Sequence, residues 1–356
     1  MTLGFIERYT ERVAFLGLLA LASAIVLLSC GLGAVAISPG QILEILLHEL
    51  GFSSGDPSFT RIQRNVLLSI RLPRTVMGCL VGSSLAVAGA SLQGLFRNPL
   101  ADPGLIGVSS GAALGVVGMI VCGAPLIAAL DVPGAITWIT PGAAFLGGSI
   151  ATLVVLRLAT NQGRIDVATM LLAGIAINAA CGALIGLATY ASDEAQLRSL
   201  TMWSLGSIGG ATWTNTSIVA ACIVPGCAWL VRQAGALDVF ALGMREAGHL
   251  GIDVRRTQRG VVLLSALVVG AGVGFTGMIG FVGLVVPHLL RLAVGPSHRW
   301  LLPASTLAGA SLLLGADLIA RTIVAPAELP IGVVTAILGA PFFVFLLMRA
   351  KHAGGI

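Results

Sequence analysis

Charge is scarce in this chain. Only 10% of its 356 residues are Asp, Glu, Lys or Arg, while 56% belong to the set AVILMFWYC, and mean hydropathy is +0.99. A soluble domain carries about 25% charged residues, so a soluble globular protein is excluded. Lysine is almost missing: Lys351 is the one Lys among 20 basic residues. The net charge of +5 comes with no basic run and no stripe of aromatic and basic side chains, which excludes nucleic acid as a partner. Cys30, Cys79, Cys122, Cys181, Cys222 and Cys227 all lie in apolar runs without a CxxC pair, so they read as small buried hydrophobes and give neither a zinc site nor a disulfide framework.

Catalytic motifs are missing too. No GxxxxGK[ST] loop exists, nor any Gly-Lys pair, so the chain does not hydrolyse ATP by that route. HExxH is absent, and His48-Glu49 reads as surface helix. Ion-driven carriers need a carboxylate or His in mid-membrane to hold the coupling ion. Here the deep apolar runs offer little beyond His288, beside Pro287, and Asp317, one turn before Arg321, where a local i,i+4 pair is expected. A self-sufficient carrier is therefore disfavoured, and the driving force is expected from another subunit.

What is abundant is apolar length and glycine. A membrane helix needs about 20 apolar residues. Charge-free runs of that length are Val13–Ile37, Thr75–Phe96, Gly104–Leu130, Val132–Leu156, Val167–Ser192, Ser199–Val231, Gly260–Leu290 and Leu329–Met348, joined by Leu301–Ala320 if Asp317 is tolerated. The first run spans 25 residues, too long for a cleavable signal core of about 7–15. The 47 Gly suit close helix packing, as in the pairs Gly78/Gly82, Gly111/Gly115 and Gly182/Gly186. Gly270, Gly272, Gly274, Gly277, Gly280 and Gly283 would let Gly260–Leu290 fold back and cross twice.

Charge parity favours that double crossing. With ten spans both termini share a side holding 14 basic residues: Arg8, Arg12, Arg97, Arg157, Arg164, Arg232, Arg245, Arg255, Arg256, Arg259, Arg291, Arg299, Arg349 and Lys351. Six lie opposite: Arg61, Arg64, Arg71, Arg74, Arg198 and Arg321. A single crossing moves Arg291, Arg299, Arg349 and Lys351 out and Arg321 in, leaving 11 against 9. The reading is an all-α polytopic membrane protein with ten transmembrane helices and both termini cytoplasmic. It forms one domain over 1–356, with an N-terminal half at about 13–192 and a C-terminal half at about 199–350. Two connections are long enough to be structured. The outer loop Ser38–Arg74 contains Pro39, Gly51, Ser53–Pro57 and an amphipathic piece near Gln41–Leu50. The inner loop Arg232–Arg259 contains Asp238, which can cap a short helix ended by Gly248 and Gly251.

Arg71–Gly115, RLPRTVMGCLVGSSLAVAGASLQGLFRNPLADPGLIGVSSGAALG, resembles the signature of the FecCD-type permeases, membrane subunits of type II ABC importers for cobalamin, ferric siderophores and haem. Phe281–Arg299, FVGLVVPHLLRLAVGPSHR, and Gly315–Leu347 resemble further blocks of that family, and Ala241–Gly251 resembles its ATPase-contacting segment. The resemblance covers about Ser38 to Arg349.

It implies the ABC type II importer fold in the bacterial inner (cytoplasmic) membrane, surrounded by lipid. It also implies a homodimer with one path on the two-fold axis, two cytoplasmic ATPase subunits that bind ATP and Mg, one periplasmic haem-binding protein, and no cofactor in this chain. It nominates Asn98 and Leu100 as the cytoplasmic gate. For ATPase coupling it nominates Asp238, Phe240, Leu242, Gly243, Arg245, Glu246, Ala247, Leu250 and Gly251. Arg71, Arg74 and Arg321 are nominated as docking points for acidic residues of the binding protein, against the alternative of anchors at helix ends. Their replacement by Glu is then expected to weaken docking without unfolding the chain. Ala191–Trp213 resembles the haem branch, so haem is the expected cargo, with a ferric siderophore or cobalamin as the alternative; Arg198 would meet a propionate and Met202 and Trp203 offer apolar contact.

Overall fold

The computed structural model describes residues 2–52, 57–123, 135–161 and 163–352. In chain order the elements are α1 (Thr2–Gly31), α2 (Pro39–Glu49), α3 (Arg61–Phe96), a 3-10 turn (Pro103–Ile106), α4 (Val108–Gly123) and α5 (Ala135–Ala159). A small antiparallel hairpin of β1 (Thr160–Asn161) and β2 (Arg164–Ile165) follows, with Thr160 opposite Ile165. Then come α6 (Val167–Tyr190), α7 (Glu194–Ser204), α8 (Trp213–Arg232), α9 (Ala234–Phe240), α10 (Met244–His249), α11 (Val254–Thr276), α12 (Val282–Val294), α13 (His298–Thr322) and α14 (Ile331–His352). Among the described residues, seven helices are long and apolar enough to cross a membrane, and Val108–Gly123, Val282–Ala293 and Ile331–Phe345 are shorter apolar helices.

The core is built around α3. Most side chains from Pro73 to Phe96 are buried, as expected of a helix that is apolar on every side. Helix α13 lies antiparallel along it: Arg74 meets Asp317, Gly78 meets Leu314, Gly82 meets Gly309 and Gly94 meets His298. Missing side chains permit this approach, since a methyl on Gly82 would stand 2.3 Å from the Gly309 carbonyl oxygen. On Gly89 it would stand 2.0 Å from the Gly283 oxygen of α12. Helices α4 and α5 cross the same way, Gly111 against Gly147 and Gly115 against Ala143. Two of the three expected glycine pairs are thus packing contacts. Gly182 and Gly186 are not, because they lie on an exposed part of α6 with nothing within 4 Å.

The structure redraws three sequence boundaries. The run Gly260–Leu290 does break, between α11 and α12, where Gly277 has φ +70° and Phe281 has φ +67°. The run Ser199–Val231 is two elements, the short α7 and then α8, whose start is capped by Thr212 accepting from the Asn215 N–H. Polar Ser204, Ser207 and Thr212 with Gly206, Gly209 and Gly210 end one helix and start the next, which a count of charges alone overlooks. Finally, the outer loop expected over Ser38–Arg74 ends well before Arg74. The 36-residue helix α3 begins at Arg61 and passes Pro73 through a π segment, Leu67–Arg71, in which the Leu72 N–H donates to the Leu67 oxygen. The wider turn accommodates a residue without an N–H. The π register would pair the Leu68 oxygen with that proline, and the Trp213 indole N–H donates to it at 2.8 Å instead. The expected span ends at Leu130 and Val132, and the loop residues 53–56, lie outside the described residues.

Helices α1 and α6 bury only 17% and 22% of their most apolar windows. Leu16, Leu19, Leu172, Leu184 and Leu187 therefore present apolar surface outward, which hydrocarbon solvates without penalty.

The contact at Gly89 sets a test. Gly89→Ala is expected to destabilise the purified chain by about 1–3 kcal/mol, the usual range for overpacking. Gly118→Ala, with nothing within 4 Å, should leave the unfolding midpoint unchanged or slightly raised. Equal midpoints for both variants in a thermal unfolding series would contradict the backbone-to-backbone packing of α3 on α12.

Candidate functional site

At one end of the bundle, α1 stops at Gly31 with carbonyls that no helix partner satisfies. Arg71 donates to the oxygens of Cys30 and Gly31 at 2.8 and 2.9 Å and to that of Val35. Arg321 donates to the Ser29 carbonyl oxygen at 2.6 Å. Cations at a helix C-terminus also suit its dipole. Beside them Arg74 bridges two acids: Nη2 lies 2.7 Å from Asp317 Oδ1, and Nη1 lies 2.9 Å from Glu328 Oε1. The Asp317 side chain is 1% exposed, and Arg321 Nε completes its surroundings at 3.6 Å from Oδ2. The expected i,i+4 pair is present, but it is the weaker half of a three-helix clasp.

The three arginines are therefore not free at a rim. Arg71 is 4% exposed and Arg74 8%, and each is committed to a partner within the chain. For Arg74 the geometry raises a different expectation from intact folding, because Arg74→Glu would set a new carboxylate beside the buried Asp317. Glu328 is the exposed member of the clasp, with 47% of its side chain open. Its hydrogen bond from Arg74 holds its carboxyl below the ordinary value of 4.5, more than partial burial raises it.

At the opposite end, α3 closes on Arg97 in the left-handed conformation, φ 48° and ψ 35°. The Asn98 N–H donates to the Gln93 oxygen at 3.2 Å, and Asn98 Oδ1 accepts from the Leu100 N–H at 2.9 Å. Asn98 is thus consumed in holding the turn, while Leu100 projects outward, 48% exposed. Asp102 Oδ1 accepts from the Gly104 N–H at 2.7 Å and starts the 3-10 turn. Burial pushes its carboxyl up, partly opposed by that bond. The turn is pinned to α6: a methyl on Gly174 would lie 1.8 Å from the Leu105 oxygen, and Asn178 donates to the Gly104 oxygen at 3.1 Å.

The 232–259 segment folds beside this turn as α9 and α10. Asp238 does not cap its own helix, which already starts at Ala234. Its carboxylate instead caps α13 from outside, accepting from the His298 N–H at 2.6 Å and from Ser297 Oγ at 3.2 Å. The nominated coupling residues divide in two. Phe240, Gly243 and Ala247 are buried supports, and Gly243 with φ +131° has the Glu246 carboxylate folded over it. Leu242, Arg245, Glu246, Leu250 and Gly251 are exposed, with Leu242 and Leu250 at 68% and 65%.

Arg198, Met202 and Trp203 sit together on α7, whose start is a capping box between Asp193 and Gln196. Arg198 and Met202 are exposed and Trp203 half-buried. The helix rests on the 277–281 connection, where Gly277 packs against the Trp203 carbonyl oxygen. Sequence reasoning missed Glu328 and His298. For Glu328 a signal existed, since an acid close to an apolar run is rarely idle.

Comparison with known proteins gives a consistent picture. The model of the FecCD transport family matches residues 20–349. The hemin transport system permease protein HmuU of Yersinia pestis is 46% identical over 288 residues, covering 81% of this chain and 84% of that protein. The vitamin B12 import system permease protein BtuC of Vibrio cholerae is 43% identical over 310 residues, covering 86% and 90%. A metal-chelate type ABC transporter solved in an inward-facing conformation superposes with TM-score 0.80 at 30% identity, covering 95% of this chain and 99% of that one.

The clasp gives two expected outcomes. Arg74→Ala removes the main partner of a buried carboxylate and should cost about 3–5 kcal/mol of stability. Adding Asp317→Ala should recover part of that loss, and a thermal unfolding series that shows no recovery would contradict the pairing. Glu328 has a lowered folded value, so its contribution is present above pH 4.5 and disappears as pH falls through that lowered value. Acidification below 4.5 should therefore destabilise the unaltered chain more than Glu328→Gln, as read from unfolding midpoints across pH.

Proposed function

Because the chain belongs to the FecCD transport family, we propose that it moves haem from a periplasmic binding protein to the cytoplasm as one half of a homodimer. It is an ABC importer permease of the inner membrane, a transport subunit and not an enzyme, with ATP hydrolysed by a separate subunit. Ten crossings with both termini cytoplasmic fit the seven long and three shorter apolar helices and the 14-to-6 division of basic residues.

The observation that carries the haem reading is α7. Its exposed Arg198 and Met202 beside Trp203 offer a cation for a propionate and apolar surface for a flat ring. Vitamin B12 is the second reading, favoured by the 310-residue match to the Vibrio cholerae permease.

In this reading the exposed ridge of Leu242, Arg245, Glu246 and Leu250 docks on the ATPase, and Leu100 closes the cytoplasmic end of the path while Asn98 shapes its turn. The binding protein docks at the clasp end, where an acidic residue replaces Glu328 on Arg74. Charge pairs of this kind set association rate and salt dependence more than affinity.

Proteoliposomes holding the full complex should accumulate haem only with ATP, and cobalamin should not compete. Arg198→Ala should lower haem uptake about tenfold, as for loss of a charge-assisted hydrogen bond of about 1.5–3 kcal/mol. Accumulation of cobalamin in place of haem would overturn the cargo and leave the permease intact. Uptake without nucleotide would overturn the ATP-driven mechanism.

A further inference from the structure

His298 occupies a position that its sequence context does not announce. It is the first residue of α13, 7% exposed, and its two edges touch different parts of the protein. On one edge, Nδ1 lies 2.8 Å from Asp238 Oδ1, and the same oxygen accepts from the His298 backbone N–H at 2.6 Å. Ser297, the residue that would ordinarily cap α13, makes no such bond. The start of α13 is therefore held by a carboxylate from α9, where its negative charge also suits the helix dipole.

On its other edge the imidazole lies against Gly94. A methyl there would come within 2.3 Å of His298 Nε2 and about as close as 3.0 Å to Cε1, so the ring fills the space a side chain would take. Nε2 is buried without a hydrogen-bond partner among the described residues. This edge is a steric contact and not a polar one.

Gly94 belongs to the last turn of α3, and that turn carries the gate. The Gly94 oxygen accepts from the Arg97 N–H at 3.4 Å, and its neighbour Gln93 accepts from the Asn98 N–H at 3.2 Å. Gln93 is gripped in turn, donating to the Gly283 oxygen at 3.2 Å and accepting from Arg291. The base of the Asn98–Leu100 turn is thus fixed from two sides, by α12 through Gln93 and by α9 through His298.

Resting on the coupling and gate assignments above, we propose that Asp238 and His298 form a strut that passes displacement of the α9–α10 segment to the gate turn. Helix α10 meets the ATPase, α9 packs on both α10 and α13, and the His298 ring transmits a push to Gly94 because packed interiors are hard to compress. Both are positioning residues, since neither touches cargo or nucleotide. A contiguous set of contacts shows that coupling has a route, and a measured loss of coupling is what demonstrates it.

The test uses the full complex of permease, ATPase and binding protein in proteoliposomes. A Leu100→Cys reporter is labelled by a soluble maleimide with and without ATP and vanadate, against the chain lacking the reporter. ATP hydrolysis is followed in parallel, and neither readout depends on the identity of the cargo. His298→Ala is expected to shrink the nucleotide-dependent change in labelling rate by about fivefold or more, the lower end of ordinary coupling between sites, while hydrolysis continues, and Asp238→Ala is expected to shrink that change likewise. Asp238→Asn keeps an acceptor for the α13 start and should retain most of the response. Should His298→Ala not assemble, His298→Asn keeps a side-chain N–H for Asp238 without a ring against Gly94 and carries the same test. An undiminished response in the His298 variant overturns the strut alone. No nucleotide response with His298 intact overturns the gate reading and the strut together.

Discussion

The buried pair of Arg74 and Asp317 sets the register of α13 on α3, the most extensively packed pair of helices in the bundle. A carboxylate that is 1% exposed in an apolar surrounding is tolerated only when a cation neutralises it at hydrogen-bond distance. That requirement fixes where α13 sits along α3. Once it is met, Gly78, Gly82 and Gly94 fall opposite Leu314, Gly309 and His298, because both helices rise about 1.5 Å per residue. The polar pair defines the alignment, and the glycines allow the approach that dispersion then rewards.

Arginine suits this end of the molecule for a second reason. The carbonyls at the end of α1 are partly buried and need donors from within the protein. The guanidinium groups of Arg71 and Arg321 supply several donors from one side chain, so two residues satisfy Ser29, Cys30, Gly31 and Val35. Lysine offers a more compact, more strongly hydrated charge, in keeping with a chain that uses almost none. The same economy appears at Pro73, where the π turn and the Trp213 indole together absorb the missing N–H.

The two ends differ in how they are held. The clasp end is closed by charge, with one exposed acid, Glu328. The end with the Asn98 turn is held mainly by backbone geometry and packing: a left-handed Arg97, the Asn98 turn, and the His298 ring in place of a side chain on Gly94. Backbone caps and single contacts shift at smaller free-energy cost than a buried ion pair, so the second end is held less firmly than the first. Leu242, Arg245, Glu246 and Leu250, exposed on and beside α10, lie toward the end that holds the Asn98 turn, with α9 packed against both α10 and α13.

Much was legible in the sequence because the membrane leaves few options. Apolar run length, the basic residues between runs and the glycine content mark a mostly helical membrane chain. The break at Gly277 follows from glycine density in the same way. What the sequence could not decide are contacts between residues far apart in the chain. Asp317 shows a local partner in Arg321, yet its stronger partner, Arg74, lies 243 residues away. Asp238 reads as the cap of its own helix, yet it caps α13, 60 residues on. Arg71, Arg74 and Arg321 read as surface charges, yet Arg71 and Arg74 are buried and Arg321 is half-buried. In each case the charge signals that a partner must exist, since an unpaired ion is costly away from water. Only the packing of α1, α3 and α13 selects which one, because that choice depends on distances that no periodicity encodes.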